Sequence, residues 1–228
     1  MTMWTLCIDT STDVCAGLAA DNEVVAAAHV GDNHSHVELL MPTIMGLLAD
    51  AGISLPQIDR IGVGVGPGPF TGLRVGMSTA FTLAVAGDKP VKGVCSLDVI
   101  AAQWRASAPA PEEFVIASDA RRKELYWARY DRRGREGMPH VSIPTTLPDL
   151  PIAGPGVQVF ADLLGARLPV GAPTAIDAGF MAAHLSGLPD AGHEPMYLRE
   201  PDATPPSTRK SALAGVHRRL GPATRRRS

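Results

Sequence analysis

The residues best placed to do chemistry are two aspartates that each end a strand-like run, Asp9 after TLCI and Asp119 after FVIAS. Carboxylates at strand ends facing a cleft are a common way to hold a metal–phosphate. Neither is followed by the glycines that would admit phosphate oxygens to the backbone, so turn and capping roles compete with that use. Between them lies GVGVGPGPFTGLRVG, Gly62–Gly76, with six glycines and two prolines in fifteen residues. It has no Gly-Lys-Ser/Thr ending, so it is not a Walker loop. Its glycines do not match a dinucleotide fingerprint, although Asp88 and Asp98 lie where a ribose-binding acid would fall. Pro67 and Pro69 each remove one N–H donor from any anion cradle. A tight strand-to-helix turn with close packing is the reading the spacing favours.

Other chemistries find less support. His34 and His36 stand two apart beside Asp32 and Glu38, but no second ligand pair lies near, and His140, His184, His193 and His217 are scattered. No metal site is expected. There is no Gly-x-Ser-x-Gly elbow, and none of Cys7, Cys15 and Cys95 has a histidine close in sequence. The three thiols read as buried and reduced, which suits a cytoplasmic protein.

The elements that must position these residues alternate in an ordered way. MWTLCID, VCAGLAA and EVVAAAHV read as three strands joined by short turns, an antiparallel meander. Helical runs from about Ser35 to Ala51 and from about Phe70 to Ala86 flank the buried strand RIGVGVG. VKGVCS adds a strand and Leu97–Trp104 a helix. The Pro-rich ASAPAPEE, Ala106–Glu113, marks a boundary. Beyond it, FVIASD and ELYWARY form a hairpin around Ala120–Lys123. Helical segments follow near Val157–Leu164 and Ala175–Ser186, and EPMYLRE is a last strand or an extended arm. Two unequal α/β lobes result, an N-terminal one over 1–106 and a smaller one over 107–205.

The first two helices are unusual in their apolar circumference. Between Val37 and Ala49 the only charge is Glu38, and Pro42 must start the regular helix or kink it. The second helix carries only Arg74, and Gly72, Gly76, Ala80 and Ala84 form a ridge that permits close backbone approach. Helices apolar nearly all round need cover on two sides. One side is their own sheet. The other is the second lobe, a partner chain or a second copy.

Charge is also uneven. The 228 residues carry 21 Lys and Arg against 23 Asp and Glu, a net charge of −2. Seven of the basic residues and no acid fall in 206–228, leaving 14 basic against 23 acidic in the rest. Such a tail reads as solvated and flexible, without the aromatics that would stack bases. No stretch is long and apolar enough to cross a membrane, and no secretory leader is expected at MTMWTLCIDT.

Taken in order, LCIDTST, NHSHVELLMP, GVGVGPGPFTGLRVGMSTA, ASDARRKELYWARY and EPMYLRE resemble the TsaB (YeaZ) family over residues 6 to about 200. The resemblance implies a two-lobed actin-like ATPase (ASKHA, RNase H-like) fold of the α/β class with a smaller second lobe. It further implies a non-catalytic scaffold needed for threonylcarbamoyl-adenosine formation on tRNA next to the anticodon. The partners implied are a TsaD-like catalytic subunit and a TsaE-like ATPase, with a homodimer when alone and tRNA met mainly through the complex. It implies a partner interface on the two helices of the first lobe, at His36, Leu39, Leu40, Thr43, Leu47, Thr71, Arg74, Met77, Ser78 and Phe81. No catalytic residue, cofactor or metal is expected in this chain. The catalytic paralogue's two metal histidines match Ser96 and Ile100 here. Its phosphate turn matches Ser118-Asp119-Ala120-Arg121-Arg122, whose side chains would crowd a phosphate. Where the family usually has serine before Phe70, this chain has Pro69, which fits a helix's first turn. The rival readings are an ATPase or kinase using the interlobe cleft, a metallo-glycoprotease, and an RNA-binding protein acting through the tail.

Overall fold

The structure is a computed structural model, and it describes residues 2–31, 36–107 and 110–199. His34 and the basic segment 206–228 lie outside the described residues. Two sheets organise the chain. The first has the order β3-β2-β1-β4-β5, from β1 (Trp4–Asp9), β2 (Val14–Ala20), β3 (Glu23–Val30), β4 (Arg60–Gly64) and β5 (Val91–Val94). The first three strands are an antiparallel meander, and β4 and β5 join β1 in parallel. Asp21 and Asn22 turn β2 into β3 with φ of 51° and 69°. Two left-handed residues are what a two-residue hairpin turn demands, and Asp and Asn tolerate that conformation best after glycine.

Every residue of β1 from Thr5 to Asp9 is buried, because both faces of the sheet are covered. Leu6 and Ile8 face a core shared with α1 (His36–Asp50) and α2 (Phe70–Gly87). Cys7 faces the opposite core, built with α3 (Ser96–Ser107) and the second sheet. That sheet comprises β6 (Phe114–Asp119), β7 (Leu125–Asp131), β8 (Gly134–Arg135), β9 (His140–Ser142) and β10 (Ile152–Ala153), with β6 and β7 its antiparallel centre. Short helices α4 (Gly156–Val159) and α5 (Ala161–Leu164) cover its far side.

The chain then returns. The helix α6 (Ala178–His184) belongs to the second half of the sequence, yet it packs across β1, β2 and β3 of the first sheet. Gly17 makes this possible: a Cβ there would lie 2.2 Å from the backbone of Ala178. Residues 194–199 of EPMYLRE form no strand. They are the end of an irregular arm that follows the free side of β5, where Ala191 N donates to Gly93 O at 2.9 Å and Met196 N to Val65 O at 2.7 Å.

One helix differs from its sequence reading. Regular α1 begins at His36, and Pro42 sits inside it on the exposed side. A missing donor costs least where water can reach the freed carbonyl. Among the described residues, no helix is long and apolar enough to cross a membrane.

Candidate docking face and interlobe cleft

The glycine-rich loop is built around the turn between β1 and β2. A Cβ on Gly64 would lie 1.8 Å from Asp9 Oδ2, and one on Gly68 would lie 2.8 Å from the Ser11 backbone. On α2, a Cβ at Gly72 would meet Thr10 O at 2.5 Å, and at Gly76 it would meet Thr10 Oγ1 at 2.2 Å. Four of the six glycines therefore admit three consecutive residues, Asp9, Thr10 and Ser11. The small-residue ridge on α2 is covered, at Gly72 and Gly76, chiefly by this turn.

Asp9 is fully buried. Its Oδ1 accepts from Ser11 N at 2.8 Å and Ser11 Oγ at 2.6 Å, and its Oδ2 accepts from Ser96 Oγ at 2.6 Å. Burial raises its pKa, and the bonds from Ser11 and Ser96 only partly oppose that shift. In this geometry Asp9 clamps the β1–β2 turn to the start of α3. The position matched to a metal histidine, Ser96, is occupied in that clamp, and Ile100 is fully buried in the core. Among the described residues, no three His, Cys, Asp or Glu side chains converge on a point where a metal could sit.

The opposite wall of the cleft between the two sheets' turns is the β6–β7 turn. Arg121, Arg122 and Lys123 are all left-handed there, with φ of 61°, 51° and 63°. Three successive non-glycine residues in that region are rare. Bonds from Ala120 N to Glu124 O and from Glu124 N to Arg121 O, each 3.0 Å, hold the turn. Asp119 Oδ1 accepts from Arg121 N at 2.8 Å, and the Arg121 guanidinium lies 3.6 Å from the same carboxylate. The space left between the two turns is about 350 Å³, bordered by Asp13, Pro69, Asp119 and Arg121. Pro69 is the residue before α2, extended at φ −60°.

The outer faces of α1 and α2 are a different kind of surface. Leu40, Ile44, Leu47 and Leu48 turn inward from α1, and Leu73, Met77, Ala80 and Ala84 from α2. Of the residues expected at a partner interface, Thr71, Arg74 and Ser78 are exposed, and His36, Leu39, Thr43 and Phe81 are half-buried. Leu40, Leu47 and Met77, also expected there, lie in the core of this chain, with 1%, 6% and 5% exposure. The physical reason is phase. A stripe at 40, 44, 47 and 48 is one face of a 3.6-residue period, so Leu40 and Leu47 share the sheet side with Ile44.

The same phase puts Val37 and Met45 of α1 outside, 69% and 47% exposed, with Phe70 and Val85 of α2 at 37% and 84%. Val37, Met45 and Val85 are not among the residues expected at the interface, and the inward glycine–alanine ridge fixes the phase that leaves Val85 outside. Part of α2 is covered by the arm: Phe70 packs on Tyr197 with ring centres 4.8 Å apart, and Phe81 meets the edge of His193 at 5.3 Å. Arg74 lies over Phe70 at 4.9 Å.

The family model for TsaD, tRNA N6-adenosine threonylcarbamoyltransferase, matches residues 32–187. The Mycobacterium leprae protein ML0378 is 40% identical over 212 residues, covering 88% of this chain. The Escherichia coli tRNA threonylcarbamoyladenosine biosynthesis protein TsaB is 34% identical over 128 residues, 56% of this chain. The solved structure of YeaZ from Pseudomonas aeruginosa aligns with a TM-score of 0.63 at 25% identity, covering 86% of this chain and 100% of that one. The chain belongs to the TsaB/YeaZ family. It has the α/β fold of the solved YeaZ structure. This TsaB-family chain spans 56% of the length of the M. leprae relative and 54% of E. coli TsaB.

Proposed function

We propose that this chain is a non-catalytic scaffold or activator subunit for threonylcarbamoyl-adenosine formation on tRNA next to the anticodon, in the cytoplasm. It docks a TsaD-like catalytic subunit through the outer faces of α1 and α2, works with a TsaE-like ATPase, and uses the same face to pair with a second copy when alone. The lobe built on residues 1–106, completed by α6, is the docking body; 107–205 forms the second lobe and 206–228 a basic tail. The observation that carries this reading is the exposed apolar set Val37, Met45 and Val85 on adjacent helices, a surface type that marks association sites. The occupied state of Asp9 and the Arg121–Asp119 pair in the cleft support the absence of catalysis here.

Reconstitution tests it. The lone protein should turn over no ATP, and adding it to TsaD and TsaE should restore modification of unmodified tRNA. ATP hydrolysis by the lone protein that Asp119→Asn abolishes would instead favour an enzyme acting in the cleft.

A further inference from the structure

A cavity of about 1000 Å³ opens away from both the docking face and the glycine loop, between α3, the β7–β8 turn and the end of α6. Its size is at the upper end of small-molecule sites. One carboxylate lines it. Asp98, in the first turn of α3, accepts from Tyr130 Oη at 2.6 Å and from Arg135 Nε at 2.9 Å, both on Oδ1. The Asp98 side chain is 6% exposed and that of Arg135 17%, so the pair is neutralised inside the wall. Among the described residues no hydrogen bond reaches Asp98 Oδ2, which leaves an acceptor in the lining.

The remaining charges are positive and unbalanced. Arg105 and Arg133 line the cavity, and among the described residues neither has a carboxylate within ion-pair distance. Arg105 lies over the Phe114 ring at 5.3 Å and donates to the carbonyl of Asp131. The Asp131 carboxylate is taken up by the N–H groups of Arg133 and Gly134. Behind the lining residues Asn22 and Ser186, Arg60 donates only to neutral oxygens: Thr5 Oγ1, Ser186 Oγ and Asn22 Oδ1. Lys92 likewise donates to the carbonyls of Leu185 and Ser186. The nearby carboxylates of Asp21 and Asp59 accept from Met3 N and Trp4 N and do not line the cavity. Phe180 and His184 complete it with a stacked pair, ring centres 4.0 Å apart and 17° between planes.

An unfilled acceptor, a flat aromatic surface and unpaired guanidiniums match one ligand chemistry. We propose that this cavity binds a nucleoside phosphate or a small molecule of the same build. The phosphate meets Arg105 and Arg133, the ring extends the stack on an outer face of the Phe180–His184 pair, and a ligand N–H or O–H donates to Asp98. Guanidinium forks suit phosphate oxygens, and aromatic faces accept any planar ring. The site is independent of docking, so either reading can fail alone.

Calorimetric titration of the full chain with the four ribonucleoside monophosphates at low salt tests it. At least one should bind at one per chain, with its nucleoside and inorganic phosphate each about tenfold weaker or more. Arg105→Ala and Arg133→Ala should each weaken binding about tenfold, and Arg133→Ala, which removes an exposed side chain, should do so with the melting temperature unchanged. Ala102→Trp should fill the cavity and remove it. No binding at millimolar ligand, nucleosides binding as well as their phosphates, or loss in Arg121→Ala with none in the cavity variants would overturn the proposal.

Discussion

The Thr10 hydroxyl is inserted into α2: it donates to Gly72 O at 2.7 Å and accepts from Gly76 N at 3.1 Å. One side chain from a strand-end turn thereby satisfies the two helix groups that normally bond each other across one turn. It can do so only because both helix positions lack a Cβ. The glycine-rich loop, which looks like a phosphate cradle in sequence, is shaped by this contact and by the seating of Asp9 and Ser11 beside it.

Glycine replacement should therefore be costly in a graded way. A methyl at Gly72 meets backbone, and one at Gly76 meets a hydroxyl that can rotate at the loss of two hydrogen bonds. Gly76→Ala should lose about 1–3 kcal/mol by overpacking, less the ~1 kcal/mol that alanine returns in helix propensity. Gly72→Ala should lose more. In a Thr10→Ala background Gly76→Ala should cost measurably less than alone. Urea unfolding of the four variants reads the coupling, and additive losses would mean that Thr10 is not the obstacle.

Docking should respond to exposed positions and not to the buried ones. Val85→Asp and Ser78→Arg change solvent-facing residues of α2, and they should weaken association with TsaD about tenfold or more with unchanged melting. Leu40→Glu or Met77→Glu would bury a charge in the core and unfold the lobe, so neither can report on a partner. Calorimetry with TsaD and light scattering of the lone chain measure both effects. Wild-type affinity in Val85→Asp and Ser78→Arg would remove this face from the interface.

The sequence carried local structure further than placement. The Asp21-Asn22 turn, the extent of α2 and the β6–β7 hairpin follow from period and turn chemistry, which act over a few residues. The burial of Leu40, Leu47 and Met77 was not legible, because a helix apolar nearly all round hides its own phase. The packing of α6 on β1–β3 was illegible: a seven-residue helix has too short a pattern to show which sheet it meets, and Gly17, which admits it, lies some 160 residues earlier. In the cleft, Ser96 and Arg121 differ in chemistry from metal ligands and phosphate-turn glycines, and that difference is legible in residue type alone.

Thiol chemistry should be silent in the native chain. Cys7, Cys15 and Cys95 are buried and free, and burial raises all three thiols, Cys95 to about 12. The thiolate is the reactive form, so native labelling by a disulfide reagent at pH 8 should be at least about a thousandfold slower than in urea. Rapid reaction of even one thiol in the folded chain would contradict its placement.

Asp9 should impose a pH dependence opposite in sign to that of a surface ion pair. Burial lifts its carboxyl above the ordinary value of 3.8, so between that value and its raised native one the folded chain holds a proton that the unfolded chain has lost. Stability contributed by this group is present at low pH and falls as pH rises through that window. Asn at position 9 can keep the geometry: its oxygen still accepts from Ser11 N, and its amide can donate to Ser96 Oγ once that hydroxyl reverses. Asp9→Asn should therefore fold and show a flatter loss of stability above pH 4 than the wild type, read by urea unfolding at a series of pH values. An unchanged slope would assign the dependence to other groups and leave Asp9 charged in the native state.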